Sequence, residues 1–193
     1  MKYPKMKILL LNGSPNKTGQ TMTLAAMLTE KLDGEIKTVH TYDADVAACF
    51  DCKYCFENPG CAVKDEMQDI YKLIDWAELF LIASPVHFGI ISAKLMTLAS
   101  RVQTFWAAAN VRKDMEKPAK IKGGVNIFTA GAKWNNMFLP CEGVSSLLFH
   151  SLGAEQIGSL YAAGTDALPV EQSSEAKRKA ELTADRIKLF FNL

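Results

Sequence analysis

The 193-residue sequence contains no apolar run approaching the roughly 20 residues that a membrane helix needs, which excludes a helical membrane span. It also lacks an excess of charge of either sign. Lys and Arg number 22 against 21 Asp and Glu, and the net charge of +1 argues against a basic surface for nucleic acid. Internal repeats and low-complexity stretches are missing, and 49% hydrophobic residues with 22% charged ones place the chain outside the disordered class. No signal-peptide apolar region opens the chain, and the cysteine count of 5 is odd, so a disulfide-stapled secreted protein is disfavoured and a cytoplasmic one expected. The length fits one domain over residues 1–193.

Two familiar phosphate motifs are also absent. Gly13 and Gly19 are separated by five residues and Gln20 stands where a Walker lysine would be, which disfavours nucleoside triphosphates. The G-x-G-x-x-G dinucleotide fingerprint is missing too. What does follow the first apolar run, Met6 to Leu11, is Asn12-Gly13-Ser14-Pro15-Asn16-Lys17-Thr18-Gly19-Gln20-Thr21. This stretch leads into a helix pattern with Leu24, Met27, Leu28 and Leu32 on one face. Small residues, hydroxyls and free amides at a helix start suit an anion, and a phosphate monoester remains after the exclusions. The competing reading is an ordinary strand-to-helix turn, which collects the same residues for local reasons.

Four of the five cysteines are not scattered. Cys49, Cys52, Cys55 and Cys61 form C-x2-C-x2-C-x5-C, and Pro59-Gly60 supplies a turn to bring the fourth back to the first three. Zinc sites of four cysteines usually come as two separated C-x2-C pairs, whereas interleaved cysteines fit a 4Fe-4S cluster. The spacing therefore puts a 4Fe-4S cluster first and zinc second, with idle thiols as the remaining possibility. Cys141 stands apart and reads as a packed small hydrophobe.

Along the chain, apolar runs predict five strands, at Met6–Leu11, Glu35–His40, Leu79–Ala83, Gly124–Thr129 and Gln156–Tyr161. Asp65 with Gln68 reads as a helix start, so Asp65 and Glu66 are helix-start residues rather than catalytic acids, and Met67, Ile70, Tyr71 and Ile74 form the stripe that follows. Pro85 is expected to end the third strand in a loop, Ser84-Pro85-Val86-His87-Phe88-Gly89. From Ser92 one long helix is predicted through Leu95, Leu98, Ala99, Val102, Phe105, Trp106 and Ala109, apolar enough to meet another subunit. Leu139–His150 and Glu171–Phe191 complete the helices. His40 and His150 carry no motif and read as structural or surface residues. Alternating strands and helices imply an α/β, doubly wound, five-stranded parallel sheet of order 2-1-3-4-5, with a cysteine-rich insertion at about 47–64 after strand 2. Ligands of such sheets bind at the C-terminal edge, where the loops after strands 1, 3 and 4 meet.

Asn12-Gly13-Ser14-Pro15 with Thr18-Gly19-Gln20-Thr21, Ser84 to Gly89 with Ser92-Ala93-Lys94-Leu95, and the cysteine run closed by Lys64-Asp65-Glu66-Met67 together resemble the NADPH-dependent FMN reductase and iron-sulfur flavoprotein family. The resemblance covers almost the whole chain. It implies a flavodoxin-like fold, FMN, and a 4Fe-4S cluster on Cys49, Cys52, Cys55 and Cys61. By that resemblance Ser14, Asn16, Thr18, Gly19, Gln20 and Thr21 would hold the FMN phosphate. Pro85, Val86, His87, Phe88 and Gly89 would lie along the flavin ring, with Thr129, Ala130 and Gly131 on its other side. His87 departs from the family, which commonly has tyrosine or tryptophan there. The resemblance also implies a homodimer or homotetramer in which cluster and flavin meet across subunits.

Three functions fit these residues. The first is an electron-transfer flavoprotein that takes electrons from ferredoxin or a similar carrier and reduces a small acceptor through FMN and a 4Fe-4S cluster. The second is an NAD(P)H-dependent FMN, quinone or nitro reductase without a cluster, and the third a non-enzymatic flavodoxin-type carrier. No side-chain acid or base is required by any of them, and no catalytic residue is assigned.

Overall fold

A computed structural model describes residues 5–114 and 121–193. The apolar run after Lys5 forms strand β1 (Met6–Asn12), and its residues alternate between two cores. Ile8 and Leu10 pack with helix α1 (Gln20–Thr29) on one face, through Leu24, Ala25 and Leu28. Leu9 and Leu11 pack on the other face with helix α3 (Met67–Trp76), through Met67, Ile70 and Ile74. Burial on both faces is why the run shows no polar alternation.

The remaining elements are β2 (Gly34–His40), the four-residue helix α2 (Tyr54–Glu57), β3 (Leu79–His87), β4 (Ile90–Ile91), α4 (Ala93–Ser100), α5 (Gln103–Ala107), β5 (Lys122–Ala130), α6 (Leu139–Ser151), β6 (Ala154–Ala163) and α7 (Ser174–Phe191). Helix α7 covers the α1 face, and α4 and α6 cover the α3 face. The long strands run parallel in the order β2-β1-β3-β5-β6. A sixth strand joins them. The two residues of β4 pair antiparallel to the end of β3, Val86 with Ile91 and His87 with Ile90, so the sheet has six strands rather than the expected five.

Two expectations need correction. Pro85 does not end the third strand, which runs on to His87 with Pro85 opposite Thr129 of β5. Pairing with β1 stops at Ala83, whose carbonyl accepts the Gly13 N–H at 2.7 Å. Pro85, two residues on, faces the same side, where β1 has already ended, so its missing N–H leaves no ladder bond unmade. The single helix from Ser92 is broken into α4 and α5, followed by a π-helical turn at Ala108–Arg112. At the break the Arg101 and Val102 amides donate three residues back, to Leu98 and Ala99.

Candidate functional site

The loop after β1 is built from its own short side chains. Asn12 Oδ1 accepts the Ser14 N–H at 2.8 Å, Ser14 Oγ accepts from the Asn16 N–H and donates to the Asn16 carbonyl, and Asn16 Oδ1 accepts from both the amide and hydroxyl of Thr18. Behind it, His40 Nδ1 accepts from Asn12 Nδ2 at 2.8 Å, which turns Asn12 Oδ1 toward Ser14. His40 therefore steadies the loop, a role with no signal in the sequence because its partner lies 28 residues away. A Cβ on Gly13 would stand 2.8 Å from Leu95 Cβ and from Ser92 Oγ, so only glycine lets the loop lie this close to the start of α4. Helix α1 starts at Gly19 without a side-chain cap, which leaves its first amides available to an anion.

The loops after β3 and β5 close on this one. Thr21 and Thr129 share a 2.6 Å hydrogen bond between buried hydroxyls, joining the start of α1 to the end of β5. Gln20 Oε1 accepts the Val170 N–H at 2.6 Å, so that side chain anchors the segment before α7. The carbonyls of Ala130 and Gly131 accept from the amides of Thr165 and Asp166. Phe88 and Gly89, both left-handed at φ 50° and 84°, form the two-residue turn between β3 and β4. The turn leaves the Phe88 ring fully exposed and His87 beside it in solvent. Ser14, Thr21 and Thr129 are thus buried at one edge, Asn16, Thr18, His87 and Phe88 are exposed around it, and Pro85 and Val86 lie between. Cys141 packs in the core beneath, its thiol pushed up to about 11 by burial.

The four clustered cysteines sit elsewhere, between β2 and α3. Cys49, Cys52, Cys55 and Cys61 line one small cavity of about 20 Å³. Asp51 and Lys53, left-handed at φ 57° and 60°, turn the chain on either side of Cys52, and Gly60 at φ 81° turns it before Cys61. Burial raises the Cys55 thiol above its ordinary value, and the other three thiols add to the shift. Among the described residues no group of three or more His, Cys, Asp or Glu side chains is drawn tightly enough to hold a metal ion. The thiols share a cavity without forming a closed cage. Helices α4 and α5 and the π-helical turn grip the loop: Ser100 Oγ accepts the Cys49 N–H at 3.1 Å, Thr104 donates to the Gly60 carbonyl at 2.9 Å, and Arg112 donates to the Cys55 carbonyl.

Both ends of the loop meet one ion pair. Arg101 Nη1 lies 2.6 Å from Asp65, with the arginine side chain fully buried. Asp65 also accepts from the Ala47 and Met67 amides. Burial works against its ionisation, but the Arg101 hydrogen bond and the Ala47 N–H outweigh it and hold the carboxyl below its usual value. The sequence places Asp65 at a helix start, as found; its partner 36 residues away is invisible to local pattern.

A parallel sheet with a cradle of amides and hydroxyls at its C-terminal edge belongs to the flavodoxin-like class of α/β proteins. The sequence matches the model of the NADPH-dependent FMN reductase family over residues 6–133, and the chain belongs to that family. It is by class a flavin-dependent oxidoreductase. An iron-sulfur flavoprotein of Archaeoglobus fulgidus is 22% identical over 185 residues, covering 94% of this chain and 79% of that one. A second, from Methanosarcina thermophila, is 33% identical over 99 residues, 50% of this chain and 52% of the relative. The chain spans about half the length of most of the iron-sulfur flavoproteins it matches. In fold it is similar to an FMN-dependent NADH-azoreductase from Bacillus anthracis in complex with FMN, with a TM-score of 0.60 at 17% identity, covering 94% of this chain and 99% of that one. No helix among the described residues is long and apolar enough to cross a membrane.

Proposed function

We propose that this chain is a single-domain, cytoplasmic iron-sulfur flavoprotein that passes electrons between NAD(P)H or a carrier such as ferredoxin and a small acceptor, through FMN and a 4Fe-4S cluster. The observation that carries this reading is the shared cavity of Cys49, Cys52, Cys55 and Cys61 in a chain whose family uses FMN. A flavin takes up electrons in pairs and a 4Fe-4S cluster passes them singly, so the two together supply a change between two-electron and one-electron chemistry.

The protein's own part is to bind, orient and shield. Ser14, Asn16, Thr18, Gly19, Gln20 and Thr21 would hold the phosphate at the uncapped start of α1, where the helix dipole favours an anion, Gln20 through its backbone N–H because its side chain holds Val170. The Thr21–Thr129 hydrogen bond fixes the spacing between that cradle and the strip Thr129, Ala130 and Gly131. The hairpin Pro85, Val86, His87, Phe88 and Gly89 would lie along the other side of the flavin ring. The four cysteines line one cavity, with Cys49 and Cys52 exposed, and their number and donor chemistry match the thiolate set that a 4Fe-4S cluster would need. A dimer or tetramer is the working unit, through the apolar groove of about 300 Å³ between α4 and α6.

The test is Cys52→Ala, with protein purified without oxygen. The expected variant has lost its iron and acid-labile sulfide and keeps FMN at the wild-type content, because cradle and cysteine loop are separate elements. A second reading rests on the open arrangement of the thiols: an NAD(P)H-dependent FMN, quinone or nitro reductase whose cysteines bind zinc or nothing. Wild-type protein showing flavin absorption without iron, and fast reduction by NAD(P)H, would establish that one instead.

A further inference from the structure

The arginine at the break between α4 and α5 is 2% exposed, and its donors can be counted. A guanidinium has five N–H bonds. Nη1 donates to the Ala47 carbonyl at 2.9 Å and to Asp65 Oδ2 at 2.6 Å; Nη2 donates to the Val63 carbonyl at 3.3 Å and to Asp65 Oδ1 at 3.1 Å. Four hydrogens are thereby engaged, two on Asp65 and one on each end of the segment that carries the cysteines. The fifth, on Nε, is buried and has no partner among the described residues. Arg101 also forms part of the wall of the cavity shared by the four cysteines, whereas Arg112 reaches the loop from outside through the Cys55 carbonyl.

A buried cation with an unengaged donor is costly to keep unless something completes it, and such a group calls for a ligand. The cavity wall it belongs to carries all four clustered thiols, together with polar side chains such as Gln103 and Thr104. Thiolate and cluster sulfurs accept N–H bonds, and such bonds, with nearby charge, set how easily a cluster is reduced. Resting on the cluster reading above, we infer that Arg101 is the positioning residue of the cysteine site. Its two terminal nitrogens clasp Ala47 and Val63, closing the loop at both ends. Its Nε–H is held for a sulfur of the cysteine set, where that hydrogen bond, with the arginine charge balancing Asp65, would favour the reduced cluster.

The experiment compares wild type, Arg101→Gln and Arg101→Lys, all purified anaerobically and reconstituted with iron and sulfide, with FMN content as the folding control. Arg101→Gln is expected to carry about tenfold less iron at limiting supply, the usual cost of losing an outer partner of a metal site. The cluster that does assemble is expected to have a lower midpoint potential. Arg101→Lys, which keeps the charge but loses the fork, is expected to lose iron while shifting the potential less. Protein labelled with 15N-arginine should show a guanidinium nitrogen coupled to the reduced cluster in pulsed EPR, and should keep that coupling in Arg112→Lys, which removes the other arginine at the loop. Wild-type protein with a cluster, no such coupling, and unchanged iron and potential in Arg101→Gln overturns the inference alone. If the variants fail to fold, the pulsed EPR result decides it. Wild-type protein that takes up no iron overturns the cluster reading and this inference with it.

Discussion

Asp65 joins three parts of the chain with one carboxylate: it accepts the Met67 N–H at the start of α3, ties back Ala47, and neutralises Arg101. Removing its charge leaves a buried guanidinium uncompensated, which typically costs about 3–5 kcal/mol. Asp65→Asn should therefore unfold at clearly lower urea than wild type at pH 7. Because the folded carboxyl titrates below its unfolded value, its contribution is fully present above the unfolded pKa, about 3.9, and is lost as pH falls through the folded one. The gap between wild type and Asp65→Asn should close in acid, below about pH 4. A gap of equal size at pH 3 and pH 7 would show that ionisation is not its source. Two glycines illustrate separate constraints at the same scale. A Cβ on Gly124 would meet the Phe149 ring at 2.5 Å, so Gly124→Ala overpacks the core, at about 1–3 kcal/mol. Gly89 has open space around it but a φ of 84°, so Gly89→Ala is strained in the backbone alone, at about 1–2 kcal/mol. Adding Phe149→Leu should restore stability to Gly124→Ala and do nothing for Gly89→Ala.

Elements whose cause is local were legible in the sequence. The strands at Met6, Leu79 and Gly124 announce themselves as apolar runs buried on both faces, and α3 by its stripe and Asp65. What the pattern could not show is the break between α4 and α5. Leu95, Leu98, Val102 and Phe105 keep a helical period across it, and the period is satisfied because both pieces still face the same core. The break belongs to partners 36 to 54 residues away, Asp65 and Ala47, which turn Arg101 inward. The same distance hid His40 behind Asn12 and the grip of Thr104 on Gly60. That grip gives a prediction for the element. Thr104→Val removes the bond to the Gly60 carbonyl, and Ser173→Ala removes the cap that accepts the Ala176 N–H at the start of α7; each should cost about 1 kcal/mol. Their local effects should differ. Trypsin is expected to cut at Lys53 and Lys64 faster in Thr104→Val than in Ser173→Ala, and equal rates would show that α5 does not hold the cysteine loop.

At the scale of the molecule, the cysteine cavity and the edge proposed to hold the flavin are separate. The edge is formed by the ends of β1, β3 and β5, whereas the cysteine loop leaves from β2 and is bound to α4, α5 and the π-helical turn. Those helices also form one wall of the groove lined by Met96, Ala99, Val144, Leu147 and Leu148, and Leu147 is 71% exposed there. Gln103 lines both the groove and the cysteine cavity. A second copy covering the groove would bury Leu147 and approach the cysteines at once, which makes assembly and electron transfer one property. Leu147→Glu tests the link, because the change lies on an exposed helix position and touches neither the cradle nor the thiols. Sedimentation should find wild type heavier than a monomer and Leu147→Glu shifted to the monomer, with FMN and iron per chain unchanged. On the proposed reading, in which the chain carries both FMN and a cluster, stopped-flow reduction should then show the two losing their fast exchange in the variant. A monomer that exchanges electrons as fast as wild type would place the whole route within one chain and leave the groove with a structural role only.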